Sequence, residues 1–220
     1  PYAVVRSSAT ELVLTYDNKH PLLNGLHEDR VIRLEGPSVV LSIKVTNTAA
    51  EDRTLYYRLH DFIGVGLNRG LDSVFVTPWE KDEPCVFAAS GKTVYRPFIH
   101  PAENWFALAD LAGDRGLLVT VEKGGVAGFF FWGSADDPMS RTAEIFFPRT
   151  PLAPGASWEL ELRYTAFSPS APDLKDPRLA ALQLPHSRIV RFNDAQGWHL
   201  RGTWLYRGAA QVMDTAVAPK

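Results

Sequence analysis

Polar and apolar side chains alternate along much of this chain, and the alternation is most regular from Ser157 to Phe167. Trp158, Leu160 and Leu162 occupy every second position there, and the residues between them are polar or charged. Successive side chains of a strand point to opposite faces of a sheet, so a period of two indicates a strand with one buried face. We therefore predict a half-buried β-strand over this segment.

A turn and a second extended run precede that strand. Pro154 and Gly155 suit the two central positions of a type II turn, because proline fixes a negative φ and glycine tolerates a positive one. Upstream of the turn, Ala143–Phe147 is rich in β-branched and aromatic residues, which fit a pleated sheet. We expect Ala143–Phe147 and the strand after the turn to form an antiparallel pair. One acid, Glu144, interrupts the apolar run.

The rest of the chain predicts more short strands and one helix. Lys123–Gly125 indicates a hairpin turn, and Asp176 followed by Pro177 suits the start of a helix over Asp173–Leu182. The last two strands are expected to form a hairpin of their own. The further strands lie near Ala3–Arg6, Leu12–Tyr16, Val31–Leu34, Val39–Thr46, Thr54–His60, Val74–Thr77, Thr93–Phe98, Trp105–Asp110, Gly116–Glu122, Ala127–Trp132, Ile189–Phe192 and His199–Tyr206.

These elements indicate an all-β fold, a large antiparallel β-sandwich with one short helix near the C-terminus. A chain of 220 residues can bury a substantial core, and all-β domains of this size often remain single. We expect residues 1–167 to form the sandwich domain. Residues 168–220 are expected to hold a linker, the helix and a hairpin that packs on the main domain.

Composition narrows the possible partners. The formal net charge of -2 gives no electrostatic reason to expect nucleic acid or an anionic membrane as a partner, and no apolar run is long enough to span a bilayer. Cys85 is the single cysteine, which excludes an internal disulfide and a thiolate metal cluster. Phosphate-binding loops, serine nucleophile elbows and zinc-protease helices are not found in the sequence. We expect no cofactor and no metal, and leave compartment and oligomeric state open.

His60, at the end of another predicted strand, belongs to a set of three short motifs. The set consists of Tyr57–Phe62, which contains His60, then Glu144–Pro148, and then Leu152–Gly155. Together they resemble the galactose mutarotase-like group. Aldose 1-epimerases of that group carry an N-L-T-N-H-x-Y-F strand, an E-x-Q-x-x-P segment and an L-x-P-G-E turn into a closing strand. In this chain Phe146 stands where the second motif has glutamine.

The resemblance implies proton transfer to and from a sugar. Opening a cyclic sugar requires a base for the anomeric hydroxyl and an acid for the ring oxygen, and carboxylate and imidazole groups can do both near neutral pH. By the resemblance, Glu144 would be the base and His60 the acid. The alternatives are that His60 is a strand-edge residue with ordinary hydrogen bonds and that Glu144 lies at a sheet edge.

A second group of candidates lies in the segment from Tyr95 to Trp105, where cationic, imidazole, amide and indole groups occur together. Such a mixture suits sugars, because indole rings pack on C–H faces and the polar groups bind pairs of hydroxyls. Trp105 leads into an apolar strand, so a place in the core is its alternative. The substrate-binding candidates are Arg96, His100, Asn104, Trp105 and, on another loop, Trp79.

Three hypotheses for function follow from these residues. The first is an enzyme that acts on a sugar or oligosaccharide, aldose 1-epimerase-like or related, with a His60 and Glu144 acid-base pair. The second is a non-catalytic carbohydrate-binding or accessory β-domain of a larger enzyme. The third is a structural or assembly β-domain whose aromatic residues are all buried. A fold alone does not choose between them.

Overall fold

The computed structural model describes residues 1–20, 23–62, 73–79, 83–89, 98–101, 103–110, 115–133, 141–168, 176, 178, 187–194, 197–206 and 209–216. These residues contain β-strands and no α-helix. The first nine strands are β1 (Ala3–Ser7), β2 (Glu11–Asp17), β3 (Leu26–Glu35), β4 (Ser38–Asn47), β5 (Arg53–Leu55), β6 (Arg58–Phe62), β7 (Ser73–Trp79), β8 (Glu83–Ala89) and β9 (Phe98–Ile99). The others are β10 (Trp105–Asp110), β11 (Arg115–Lys123), β12 (Gly128–Gly133), β13 (Arg141–Phe146), β14 (Thr150–Leu152), β15 (Ser157–Phe167), β16 (Ser187–Asp194), β17 (Gly197–Tyr206) and β18 (Ala209–Ala216).

The chain divides into two compact units, and each unit is built from separate segments. The first contains Pro1–Arg58, Val119–Val126 and Phe147–Thr165, and the second contains the remainder. The predicted boundary after residue 167 stays a prediction. Within the described ranges, no helix is both long enough and apolar enough to cross a membrane.

The first unit is organised around an antiparallel sheet in the order β1-β2-β3-β4-β15. Strands β4 and β15 pair along their length, from Thr46 opposite Ser157 to Ser38 opposite Thr165. One face of this pair carries the core, because Ile43 lies opposite Leu160 and Val45 lies opposite Trp158, and directly opposed residues share a face. The buried residues on it include Ile43, Val45, Trp158, Leu160 and Leu162. Strands β5 and β14 form a separate two-stranded ladder.

In the second unit, two sheets pack face to face. One has the order β6-β13-β12-β9, and the other contains β10, β7 and β8. Phe106 of β10 meets Phe129 of β12 edge to face, with ring centroids 5.2 Å apart, and both rings are fully buried. Strands β16, β17 and β18 form a third sheet, and β16 and β17 lie against β8.

The prediction of an all-β antiparallel fold is confirmed. Strand β15 has the predicted bounds, and Ala156 N–H donates to Ala153 O across the predicted turn, in which Gly155 has a φ of 77°. The predicted C-terminal hairpin is present as β16 and β17. Nearly all of the predicted helix lies outside the described residues, although Asp176 accepts the N–H of Arg178, as a capping residue would.

Two predicted pairings are wrong. Strand β13 pairs with β12, and β15 pairs with β4, so the two runs that flank the Pro154–Gly155 turn are not partners. Gly124 and Gly125 both have positive φ, as a tight turn requires, yet β12 after them belongs to a different sheet from β11. Local turn chemistry predicts where the chain bends but does not determine which strand it joins.

Candidate functional site

Strand β13 places Glu144 on the less buried face of its sheet. Ala143 and Ile145 are 1% and 0% exposed and point to the packed face, together with Phe129 of the neighbouring strand. Alternation then turns Glu144 and Phe146 to the opposite face. The acid that interrupts the apolar run therefore lies on the face opposite Ala143 and Ile145, although at 7% exposure it is itself nearly covered.

His60 on β6 reaches Glu144 from the adjacent strand. Its Nε2 atom lies 3.1 Å from Glu144 Oε1, which is hydrogen-bond distance. The imidazole is 39% exposed, and the carboxylate is 8% exposed. The two residues that the sequence singled out are thus brought together, with the imidazole facing solvent and the carboxylate beneath it.

Two phenylalanines border this pair. In the β12 and β13 ladder, Phe130 lies directly opposite Glu144, and Gly128 lies opposite Phe146. Both rings are half-buried, whereas Phe129, the neighbour of Phe130, is fully buried. The sequence favoured sheet packing for the whole phenylalanine run, so it missed Phe130. Phe130 differs from Phe129 in the face of the sheet to which it points, because it lies opposite the polar Glu144 and shares its face.

The remaining predicted binding residues lie in several places. His100 follows β9, is exposed, and has Nδ1 3.0 Å from the backbone oxygen of Ala127. Asn104 is exposed before β10. Trp105 is 6% exposed, and its indole N–H donates to Glu103 Oε2 at 2.8 Å, so this ring belongs to the core of its unit.

Trp79 and Arg96 stay predictions. Only the backbone of Trp79 is described, and it is the last residue of β7, opposite Glu83. Arg96 lies outside the described residues. In the part of the chain that is described, no group of three or more histidine, cysteine or acidic side chains is arranged to hold a metal ion.

The first unit contains a separate network centred on Glu28. Its carboxylate accepts hydrogen bonds from Tyr2, Arg30 and Tyr57 at 2.7 to 3.1 Å. Burial and then the Glu28 carboxylate raise the pKa of Tyr2 to about 12, and the same causes raise the pKa of Tyr57. Tyr57 also packs on Trp158. Every carboxylate oxygen of Glu28 has a donor, so the network is a satisfied structural unit.

No protein-family model matches the chain. UDP-N-acetylmuramoyl-L-alanine--L-glutamate ligases from Xanthomonas oryzae pv. oryzae and Xylella fastidiosa are 52% and 54% identical to it over 44 residues. That segment is 20% of this chain and 9% of the length of each ligase, too small a part to carry the ligase activity over.

Solved structures resemble a much larger part of the chain. A candidate aldose 1-epimerase from Escherichia coli K12 matches 76% of this chain and 68% of its own, with a TM-score of 0.61 and 13% identity. A Synechocystis sp. PCC 6803 protein matches 76% of this chain and 66% of its own, with a TM-score of 0.60 and 11% identity. A galactose mutarotase-like protein from Lactobacillus casei matches 75% and 72%, with a TM-score of 0.54 and 13% identity. At these identities the likeness is one of fold, and the chain has the galactose mutarotase-like fold.

Proposed function

We propose that this chain acts on a sugar as an aldose 1-epimerase-like enzyme, with Glu144 and His60 as its base and acid. The observation that carries the proposal is the 3.1 Å separation of His60 Nε2 and Glu144 Oε1 on adjacent strands. The anomeric hydroxyl and the ring oxygen of a pyranose are bonded to the same carbon. Two proton-transfer groups that serve both oxygens must therefore lie close together, as these two atoms do.

The proposed reaction is reversible ring opening. Glu144 takes the proton from the anomeric hydroxyl, and the electrons of that O–H bond form the aldehyde C=O bond. The bond between C1 and the ring oxygen breaks, and its electron pair on the ring oxygen accepts a proton from His60. Rotation about the C1 to C2 bond turns the other face of the aldehyde to the hydroxyl, and the reverse steps close the ring. Both side chains return to their starting protonation states.

The different exposures of His60 and Glu144 support different roles for the two side chains. The His60 ring is the more exposed of the two and can reach a ligand from the solvent side, whereas Glu144 is nearly covered. A covered carboxylate that hydrogen-bonds an imidazole also fixes the ring orientation. Substrate binding would have to separate the two groups slightly, so that each contacts one sugar oxygen.

Polarimetry tests the proposal. Freshly dissolved α-D-glucose and α-D-galactose are followed with the full chain and with Glu144→Gln and His60→Gln. The wild-type chain should speed the approach to the equilibrium rotation, and each variant should be slower by about 100- to 10,000-fold, the range for one acid or base. A wild-type trace that coincides with the buffer trace would reject the proposal.

Matched controls separate loss of chemistry from loss of folding. His20→Gln and Glu51→Gln make the same chemical changes at exposed positions in the first unit. Both control variants should retain wild-type rates. Circular dichroism of the two site variants should match that of the wild-type chain, because neither change alters side-chain volume much.

The low exposure of Glu144 favours one alternative, a carbohydrate-binding protein without turnover. In that case Glu144 holds His60 in place as a hydrogen-bonding group, and no proton is exchanged with the sugar. Glycan binding that survives in Glu144→Gln, together with a wild-type polarimetry trace equal to buffer, would support this alternative.

A further inference from the structure

Strand β13 carries a buried hydroxyl group two residues before Glu144. Thr142 is 3% exposed, and its Oγ1 atom is covered by protein. Within the part of the chain that the structure describes, this oxygen has no hydrogen-bond partner. A hydroxyl that leaves water without gaining a new hydrogen bond destabilises the folded state, so each such group in a native structure calls for an explanation.

The shape of the side chain does not explain why residue 142 is a threonine. Valine has the same branched shape, fits a strand at least as well, and brings no polar atom into a covered position. The hydroxyl of Thr142 is therefore held at a cost to stability. Groups of this kind concentrate at functional sites, where the cost is part of the activity.

Thr142 points to the same side of the sheet as Glu144. The two residues are two positions apart in β13, so their side chains leave the same face. Two residues of an antiparallel strand span about 7 Å. The longer glutamate side chain can cross that span through ordinary staggered rotamers and reach hydrogen-bond distance, about 2.7 Å, from the hydroxyl. In the structure its Oε1 atom lies instead 3.1 Å from His60 Nε2.

The proposed reaction would break that contact between His60 and Glu144. A sugar whose two oxygens are served by the pair has to come between the imidazole and the carboxylate, so Glu144 gives up the hydrogen bond to His60. The Glu144 side chain is only 8% exposed, so water does not readily supply another donor. A covered carboxylate that loses a donor needs a replacement from the protein to remain a well-placed anion.

We propose, resting on the proposed function, that Thr142 is a positioning residue for the base. When a sugar separates His60 from Glu144, the carboxylate turns along its own strand and accepts a hydrogen bond from the Thr142 hydroxyl. One carboxylate oxygen is then held by Thr142, and the other faces the anomeric hydroxyl. The hydroxyl that is unpaired in the resting protein thus gains its partner in the complex. Thr142 itself contacts no sugar atom.

Two substitutions of Thr142 separate positioning from packing. Thr142→Val removes the hydroxyl and keeps the branched shape. It should lower kcat/KM for α-D-galactose mutarotation about 10- to 100-fold, the loss expected for one hydrogen bond to a charged group, while Tm stays equal or rises. Thr142→Ser keeps the hydroxyl and loses a buried methyl group, so it should retain wild-type kcat/KM with a lower Tm. A structural role would make activity follow stability, whereas positioning reverses the order of the two variants.

A double-mutant cycle tests the link between Thr142 and Glu144. Titration NMR measures D-galactose binding to the wild-type chain, Thr142→Val, Glu144→Ala and the double variant. Thr142→Val should weaken binding about 10-fold on its own and have no further effect beside Glu144→Ala, because the acceptor is then gone. Thr54→Val, the same substitution at an exposed position of β5, is the control and should leave the affinity unchanged. Wild-type affinity in Thr142→Val, or an equal effect in both backgrounds, would overturn the proposal.

The outcomes distinguish this proposal from the proposed function. If Thr142→Val weakens galactose binding through Glu144 while the wild-type chain does not accelerate mutarotation, the positioning role stands and the epimerase activity fails. If the wild-type chain accelerates mutarotation and Thr142→Val matches it in kcat/KM and affinity, the activity stands and the positioning role fails. A wild-type chain that neither binds galactose nor accelerates its mutarotation overturns both.

Discussion

At the scale of the single residue, the side chain of Asn47 connects separate stretches of the first unit through hydrogen bonds. The side chain is fully buried at the end of β4. Its amide nitrogen donates to the backbone oxygens of Glu51 and Leu152 at 2.8 and 2.9 Å, and its amide oxygen accepts from Ala49 N at 3.0 Å. The side chain thus satisfies three backbone groups on two separated stretches of chain.

Asn47→Asp should destabilise the protein strongly. The substitution preserves the shape of the side chain but replaces two N–H donors with an oxygen that faces two carbonyl oxygens in a buried site. We expect a loss of roughly 2 to 4 kcal/mol in the free energy of unfolding. Chemical denaturation would measure it, with Asn24→Asp, the same change at an exposed position, as the control. A loss below about 0.5 kcal/mol would contradict this account of Asn47.

Single residues also show how far the sequence could predict the site. His60 and Glu144 were identified through short motifs, and the structure brings them into contact. Phe130 was missed because three consecutive phenylalanines have no hydrophobic period from which to assign faces. Its orientation is determined by the register with β13, which is a long-range property. Trp105 was a candidate for sugar binding with a place in the core as its alternative, and the structure buries it in the core of its unit.

At the scale of the element, the β2 and β3 hairpin carries a histidine between two acids. His27 Nδ1 lies 2.7 Å from Asp17 of β2, and Nε2 lies 3.1 Å from Asp29 of its own strand. Thr15 lies near Nε2, and Thr46 of β4 is the cross-strand neighbour of His27. The hydrogen bond to Asp17 raises the pKa of the His27 imidazole, Asp29 adds to the effect, and partial burial opposes it.

The hairpin should therefore become less stable as pH rises. A histidine whose folded pKa is raised contributes stability that is fully present below its ordinary value of 6.5 and is lost as pH rises through the folded pKa. Because the pair is partly exposed, we expect no more than about 1 kcal/mol. Unfolding of the wild-type chain and His27→Gln should be compared from pH 5.5 to 8.5. The difference between them should shrink as pH rises, and a constant difference would refute the expectation.

Elements also show what the sequence predicts well and what it cannot predict. Strand β15 was predicted from its own alternation, and its buried positions Trp158, Leu160 and Leu162 are those of the pattern. Its partner was wrongly predicted, because the ladder joins it to β4, which is distant in sequence. Alternation depends on one strand alone, whereas pairing depends on which faces pack together. Strand β18 was missed for a different reason, since its sequence Ala-Ala-Gln-Val-Met-Asp-Thr-Ala has no regular alternation of apolar and polar residues.

At the scale of the whole molecule, neither unit is a continuous stretch of chain. The first unit needs residues as far as Thr165, and the second includes the C-terminal strands. Strands β16 and β17 lie against β8, within that second unit. The C-terminal region therefore packs against a strand that is formed much earlier in the chain.

Truncation after Phe167 tests this arrangement. The shortened chain keeps all strands of the first unit but loses the strands that cover β8. Backbone amides of β7 and β8 should exchange with solvent faster than in the full chain, whereas amides in the β4 and β15 ladder should keep their protection. Hydrogen exchange with mass spectrometry would measure both. Equal loss of protection in the two ladders would show that the units do not behave separately.

The pairing of β4 with β15 has a consequence for synthesis on the ribosome. Thr46 and its partner Ser157 are separated by 111 residues, so the two sides of this ladder emerge at different times. At translation rates of 5 to 20 residues per second, the delay is about 6 to 22 seconds. During that interval β4 has no partner on one edge, although its apolar Ile43 and Val45 have already left the exit tunnel. The nascent chain is therefore most open to misassembly or to chaperone capture in this window.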